Sequence, residues 1–234
     1  MNDQVSPRVN QGPARSSRAA RPKVAVDTVL FAIEGGRLRT YLVQLRGGPV
    51  SGRWAFAGGL VRIGEMLDDA ARRELGASTG IRDAYLEQLF TFGDPSRDPR
   101  AHVVSVAYMA LIADPRQASA PGGKYLGGRW FEVSALPELA YDHSVMADYA
   151  LKRLKAKLAY TNIACNLLPE TFTFAELETL YARILERSID RRNFRRRILS
   201  MRILRQLPAV RRGAHRPAAL YSFARRSPQV VEML

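Results

Sequence analysis

The sequence predicts an α+β protein in two folded parts: a mixed sheet-and-helix domain, then a small basic domain of winged helix-turn-helix type. Three observations lead there. Strand-like apolar runs surround one amphipathic helix between residues 24 and 140, two short helical patterns joined by a tight turn follow Thr171, and the positive charge is concentrated outside the long middle of the chain. On this pattern residues 1–23 form a basic arm, 24–142 the mixed sheet-and-helix domain, 143–160 a linker helix and 161–234 the basic domain.

At 234 residues and 47% hydrophobic content, the chain can bury a substantial core in one large or two small domains. Its 36 Lys and Arg against 22 Asp and Glu leave a net charge of +14, which points to a polyanionic partner. The surplus is local: residues 1–23 carry +4, residues 24–170 carry +1 and residues 171–234 carry +9. Residues 1–23 contain Ser, Pro, Gly and Arg with few large apolar side chains, so they cannot offset the entropy of ordering and read as a disordered arm. Both a solvated tail and a DNA-contacting arm remain open for it. The single cysteine, Cys165, excludes an internal disulfide and a thiolate metal cluster, and suits a reducing cytosol. The N-terminus lacks the apolar core of a signal peptide, and the longest nearly apolar run, Val103 to Ala113, falls short of the roughly 20 residues that span a bilayer. A cytoplasmic, nucleoid-associated protein with no membrane partner is expected.

From Val24 to Ile33 and from Leu38 to Leu45, β-branched and apolar residues flank Gly35-Gly36, the pattern of a β-hairpin. Further strands are expected at Leu86–Phe92, Val103–Ile112 and Arg129–Val133, and helices at Met66–Ser78 and Val145–Tyr160. In the later helix Leu151, Leu154 and Leu158 recur at helical spacing with Lys152, Arg153, Lys155 and Lys157 between them, as a connector needs.

Gly59 is followed after five residues by Glu65, and after seven more by Arg73-Glu74-Leu75-Gly76-Ala77-Ser78-Thr79-Gly80-Ile81. This stretch resembles the Nudix box: Gly59, Glu65, Arg73, Glu74, Leu75, Gly80 and Ile81 fall on its pattern, while Ala77 and Ser78 stand where it has a Glu-Glu pair. The resemblance implies a Nudix-type α/β/α sandwich for residues 24–142. Positions 74, 77 and 78 share one helical face, so glutamates there would form a hard-oxygen cluster for Mg²⁺ that neutralises a pyrophosphate and activates water. With Ala77 and Ser78 in place, only Glu74 and Glu65 remain; no metal site, catalytic residue or required cofactor is expected, and the chain is read as a non-enzyme. Arg73, Glu74 and Glu65 have a second reading as a salt-bridged scaffold that holds loop to helix.

A pocket without metals still has means to bind a nucleotide through arginines and aromatic stacking. The candidates are Arg46, Arg53, Trp54, Gly58, Gly59, Arg73, Phe92, Arg97 and Arg100, the last two in the turn-rich segment Gly93–Arg100, where loop arginines stand beside the pocket. Trp54 and Phe92 fit either a stacking platform or the core.

In the basic region Thr173 and Glu176 form a capping box that opens a helix, with Phe174, Leu177, Tyr181, Ile184 and Leu185 as its buried stripe. Asp190 caps a second helix, in which Phe194, Ile198 and Met201 share one face and Arg192, Arg195 and Arg196 the opposite one, flanked by Arg191, Asn193 and Arg197. That arrangement suits a major-groove reader. Two apolar runs, Ile203–Leu207 and Ala219–Phe223, enclose a basic tip from Pro208 to Pro217 that reads as a wing, with Arg211, Arg212, His215 and Arg216 set toward phosphates.

The combination resembles the Nudix-related transcriptional regulators of NAD metabolism from about residue 24 to 224, through the incomplete box, Arg97-Asp98-Pro99-Arg100, Tyr141-Asp142-His143, Leu167-Leu168-Pro169, Arg192-Asn193-Phe194-Arg195-Arg196 and Arg216-Pro217-Ala218. The resemblance implies a homodimeric repressor on a palindromic double-stranded operator near NAD biosynthesis or salvage genes, with ADP-ribose or a related nucleotide as effector. Two alternatives are an active Nudix hydrolase of ADP-ribose or another nucleoside diphosphate, and a DNA-binding protein whose Nudix part is only a dimerisation scaffold.

Overall fold

The computed structural model describes residues 21–212 and 217–231; most of the expected basic arm, together with His215 and Arg216, lies outside the described residues. Strand β1 (Lys23–Glu34) and strand β2 (Arg37–Leu45) form the expected hairpin, in register Glu34 with Arg37 and Phe31 with Thr40. Gly35 and Gly36 both sit at positive φ, 58° and 71°, as a two-residue turn that follows the strand twist requires.

Next come β3 (Trp54–Ala55), β4 (Ala57–Leu60), α1 (Leu67–Thr79), β5 (Tyr85–Phe92), β6 (Val103–Leu111), β7 (Tyr125–Glu132) and α2 (His143–Tyr160). The short strands β3 and β4 are too brief and Gly-rich to show a period. Strand β7 starts four residues before its expected position, because Gly127-Gly128 interrupts the apolar run. Gly128 passes directly beneath Tyr41, where a Cβ would meet the phenolic oxygen at 2.5 Å.

The strands make one seven-stranded sheet in the order β3-β2-β1-β6-β5, with β4 on β1 and β7 on β2. Only β1 and β6, from Lys23 opposite Val103 to Phe31 opposite Leu111, run parallel; the remaining pairs are antiparallel. Alternation then assigns side chains to faces. Leu30, Ala32, Ala110 and Ile112 pack on the side of Leu75 from α1. Val29, Phe31, Ala107, Met109 and Leu111 pack on the other side, against Met146, Ala150, Leu154 and Leu158 of α2. The expected linker helix 143–160 therefore coincides with α2 but is more than a connector: it is the second outer layer of an α/β/α sandwich. Truncating the fully buried Leu154 to Ala would cost about 2–5 kcal/mol.

A short 3-10 turn, Ile163–Asn166, leads to β8 (Phe172–Thr173), α3 (Phe174–Leu185), α4 (Arg191–Ser200), β9 (Leu204–Arg211) and β10 (Ala218–Phe223). The capping box is present: Glu176 Oε2 accepts from the Thr173 N–H at 2.7 Å, and Thr173 Oγ1 accepts from the Glu176 N–H at 3.3 Å. Asp190 caps α4 by accepting from the Asn193 N–H at 3.0 Å. Strands β8, β10 and β9 form the wing sheet. Strand β9 runs through Pro208 to Arg211, so the wing tip is shorter than the sequence suggests; as an edge strand it tolerates a residue with no N–H.

Leu177, Leu180 and Tyr181 of α3 and Phe194 and Ile198 of α4 belong to the same apolar core as the α2 face of the sheet. The chain end returns to this seam, where the Val231 N–H donates to the Tyr160 carbonyl at 2.7 Å. No helix among the described residues is long and apolar enough to cross a membrane.

Candidate functional site

A cavity of about 320 Å³ opens where β1, β4, the 94–101 loop, the Lys124-Tyr125 segment and the start of α2 meet. Its floor holds Asp27, the one charged side chain in the apolar run of β1. Asp27 accepts from the Ser105 hydroxyl at 2.5 Å and has Arg97 Nη2 and His143 Nε2 each at 3.6 Å. Burial pushes its carboxyl pKa up, but His143, Ser105 and Arg97 outweigh burial and hold it below the ordinary value. His143 Nδ1 accepts from the Phe56 N–H at 2.9 Å, so Nε2 is the donor edge; it is buried and no hydrogen-bond partner lies within reach among the described residues.

The loop after β5 projects Arg97 and Arg100 at the cavity. Arg97 is almost wholly buried and spends its guanidinium on Asp142. Arg100 is more open: it pairs with Asp98 at 2.7 Å and stands 5.5 Å over the Tyr141 ring. Tyr141 lies in left-handed backbone, φ 57°, a conformation that costs an L side chain energy and gathers at functional sites.

Gly58 and Gly59 line the opposite wall, and Gly58 is sterically required, since a Cβ there would also lie 2.5 Å from the Val26 carbonyl oxygen. A Cβ on Gly58 would fall 2.1 Å from Asp27 Oδ1, and one on Gly59 would lie 2.5–2.8 Å from the Glu74 carboxylate. Behind them Arg73 clamps Glu65 with two hydrogen bonds, 2.6 and 2.8 Å, and also binds Glu74 and the Leu60 carbonyl. The Arg73 guanidinium, aided by the Arg62 N–H, holds the Glu65 carboxyl down at about 2. The salt-bridged scaffold is thus the geometry found.

The donor set of the box does not fit a divalent metal. Mg²⁺ asks for near-octahedral oxygen ligation. Ala77 offers none, and the Ser78 hydroxyl lies at 2.7 Å from the Glu74 carbonyl and 3.2 Å from Tyr125 Oη. Glu74 itself is shared by Arg73 and Lys124.

Of the sequence candidates, Gly58, Gly59, Arg97 and Arg100 line the cavity, whereas Arg46, Arg53, Trp54, Arg73 and Phe92 do not. Arg46 donates to the Tyr125 carbonyl at 3.3 Å, and Arg53 pairs with Glu138 at 3.0 Å beside a neighbouring shallow cleft. Trp54 packs edge-on to Phe131 at 4.8 Å, and Phe92 packs against Phe90 and Tyr149, so both aromatics serve the core. Sequence reasoning missed Asp27, Lys124, Tyr125, Tyr141 and His143 as cavity residues. A lone carboxylate within an apolar strand was a usable signal for Asp27; Lys124 in a Gly-rich loop offered none.

In α4 the buried Phe194 and Ile198 anchor the helix, and the arginines lie on its exposed surface. Arg191 pairs with Glu178 at 2.7 Å, Asn193 donates to the Asp190 cap at 2.6 Å, and Arg196 donates to Asn193 Oδ1 at 2.9 Å. Arg192 and Arg197 are exposed. Arg195 departs from its expected role: its guanidinium stacks over Phe174 at 4.6 Å and donates to Tyr221 Oη at 2.8 Å, which ties it to its own domain. On the wing, Arg211 pairs with Glu176 at 2.6 Å instead of standing clear, while Arg212 is exposed.

Residues 21–151 match the family model of the NUDIX domain, and residues 164–223 match that of the NrtR DNA-binding winged helix domain. The chain is 33% identical over 206 residues to the ADPR responsive transcriptional repressor NtrR of Acinetobacter baylyi, covering 87% of this chain and 82% of that protein. It is 31% identical over 129 residues to the ADP-ribose pyrophosphatase of Methanocaldococcus jannaschii, covering 55% of this chain and 73% of that one. Among solved structures, Shewanella oneidensis NrtR complexed with a 27mer DNA superposes with a TM-score of 0.76 at 31% identity, over 86% of this chain and 93% of that chain. The NUDIX domain of the same protein, complexed with ADP ribose, superposes with a TM-score of 0.53 at 31% identity, over 57% of this chain and 89% of that one.

Proposed function

From the premise that this chain belongs to the NrtR family of Nudix-type regulators, we propose that it is an ADP-ribose-responsive transcriptional repressor. The winged helix binds duplex DNA and the Nudix cavity takes ADP-ribose. The observation that carries this reading is the likeness, over 86% of the chain, to a regulator held on DNA, in a protein whose own α4 presents a cationic surface on an apolar anchor.

The architecture supplies a route between the two sites. Helix α2 begins at the cavity with His143, is packed along its length on the sheet, and at its far end Lys155 pairs with Glu186, the residue that closes α3, at 2.9 Å. Strand β1 carries Asp27 at one end and reaches the Gly35-Gly36 turn at the other, where Gly36 lies against Thr179 of α3. A ligand that moves the cavity wall therefore acts on elements packed directly on the DNA-binding helices.

The repressor works as a homodimer on a palindrome near NAD biosynthesis or salvage genes, since a two-fold protein matches half-sites about 34–36 Å apart or a multiple of that spacing. Selection of bound duplexes from a random pool, with light scattering on the free protein, tests this. A palindromic consensus and a dimer support it; a monomer that binds an asymmetric site contradicts it.

Hydrolysis of ADP-ribose is the second reading, favoured by the likeness to a pyrophosphatase. Against it stands the box: one carboxylate shared by two cations, and no further ligand at 77 or 78. Incubation with ADP-ribose and Mg²⁺ or Mn²⁺ should release no AMP above background; release at the turnover of ordinary Nudix enzymes would establish the hydrolase.

A further inference from the structure

The Lys124 ammonium sits 2.5 Å from Glu74 Oε2 and 2.6 Å from the Gly58 carbonyl oxygen. These two oxygens come from different elements, the box helix α1 and the Gly-Gly strand β4, and they converge at the cavity wall. One carboxylate and one carbonyl from two elements form the kind of hard-oxygen pair that a divalent ion takes up. Here a tethered ammonium takes it up instead.

The position is built and not incidental. Glu74 is buried, its other oxygen is held by Arg73, and the bare backbone of Gly59 is what lets the carboxylate lie against the loop. Burial opposes the charge on Lys124, but Tyr125 and Glu74 outweigh it, so the group stays protonated throughout the physiological range. An ammonium has three N–H donors. Glu74 and the Gly58 carbonyl take two, the Tyr125 hydroxyl also interacts with the ammonium, and the side chain is about half exposed at the cavity.

We propose that Lys124 is the fixed cation of the nucleotide site: it occupies the place a metal would take in an intact box and meets the diphosphate of the bound nucleotide with the exposed side of its ammonium. The inference rests on the reading of ADP-ribose as the effector. A lysine supplies a point charge with no demand on coordination number, which this site could not satisfy. It carries no water to activate, so the diphosphate is held without being attacked. Effector recognition is therefore independent of divalent metal, and sensing is separated from turnover by the same substitution of cation.

Calorimetric titration of the full chain with ADP-ribose, in EDTA and again in millimolar Mg²⁺, tests this on the wild type, Lys124→Met and Lys124→Gln. Two variants are used so that one misfolded protein, recognised by circular dichroism and its thermal melt, does not end the test. The wild type should bind equally in both media, and either neutral variant should lose about ten- to hundredfold in EDTA, the worth of a charged hydrogen bond. Wild-type binding that requires Mg²⁺, or a folded neutral variant that binds as tightly as wild type in EDTA, overturns the assignment of Lys124 and leaves the effector reading standing. A wild type that binds ADP-ribose in neither medium overturns the effector reading itself.

Discussion

Arg97 closes on Asp142 through two hydrogen bonds, Nε to Oδ2 at 2.9 Å and Nη2 to Oδ1 at 2.6 Å, with its side chain only 3% exposed. Asp142 precedes α2 but makes no side-chain cap to it, because its carboxylate is committed to Arg97. The pair ties the cavity loop to the start of α2. Breaking it leaves a charge without its partner in a largely dry setting, a loss of about 3–5 kcal/mol. Urea unfolding of Arg97→Ala should register that loss. Arg100→Ala removes the half-exposed partner of the buried Asp98, but the backbone N–H at position 100 still donates to that carboxylate, so it should cost less stability than Arg97→Ala while weakening ADP-ribose binding. Equal stabilities for the two variants would contradict this division between a positioning arginine and a ligand-facing one.

The arginines of α4 divide in the same way. Arg195→Ala removes the guanidinium from Phe174 and Tyr221 and should lower the melting temperature of the protein. Arg192→Ala and Arg196→Ala should leave the melt unchanged and weaken DNA binding by about 1–3 kcal/mol each if the lost contact is bidentate to a base. Gel-shift titration at fixed salt beside a thermal melt separates the classes. Loss of DNA affinity from Arg195→Ala with an unaltered melt would restore Arg195 to the reading surface.

Much of the fold was legible because it rests on local signals. The Gly35-Gly36 turn, the Thr173–Glu176 capping box and the Asp190 cap each specify an element from a few residues, and the structure has all three. The α2 layer was harder. Its sequence shows Leu at helical spacing and Lys between, which suits a connector as well as a sheet-packed helix; the face that packs on the sheet combines Met146, Leu154 and Leu158 with the small Ala147 and Ala150. The site was less legible than the fold. Gly58, Gly59, Arg97 and Arg100 were found through their segments, but Lys124 and Glu74 lie 50 positions apart and meet only because the sheet brings β4 and β7 to the same end of α1. Trp54 and Phe92 misled because a large aromatic beside a pocket and one in the core look alike along the chain.

Acid should destabilise the protein through named carboxylates. Arg73 holds Glu65 at about 2, well below the ordinary 4.5. Burial raises the pKa of Glu87, but Lys157, Tyr85 and Arg153 outweigh it and leave the group below its ordinary value; Asp27 behaves alike with His143, Ser105 and Arg97. A depressed folded pKa means that the unfolded chain takes up the proton first. The stabilisation is fully present above the ordinary carboxylate range and is lost as the pH falls through it toward the folded values. The urea midpoint should hold steady from about pH 7 to 5 and then decline. Glu65→Gln should show a shallower decline between 4.5 and 2. An unaltered slope would remove Glu65 from the account.

Operator affinity, followed by fluorescence anisotropy at fixed salt across a titration of ADP-ribose, tests whether the nucleotide cavity is coupled to the DNA-binding helix. Saturating ADP-ribose should change the operator dissociation constant by a factor of about 5–150, and the operator should change the ADP-ribose constant by that same factor, as linkage requires. Saturable binding of ADP-ribose that leaves operator affinity untouched would contradict that coupling.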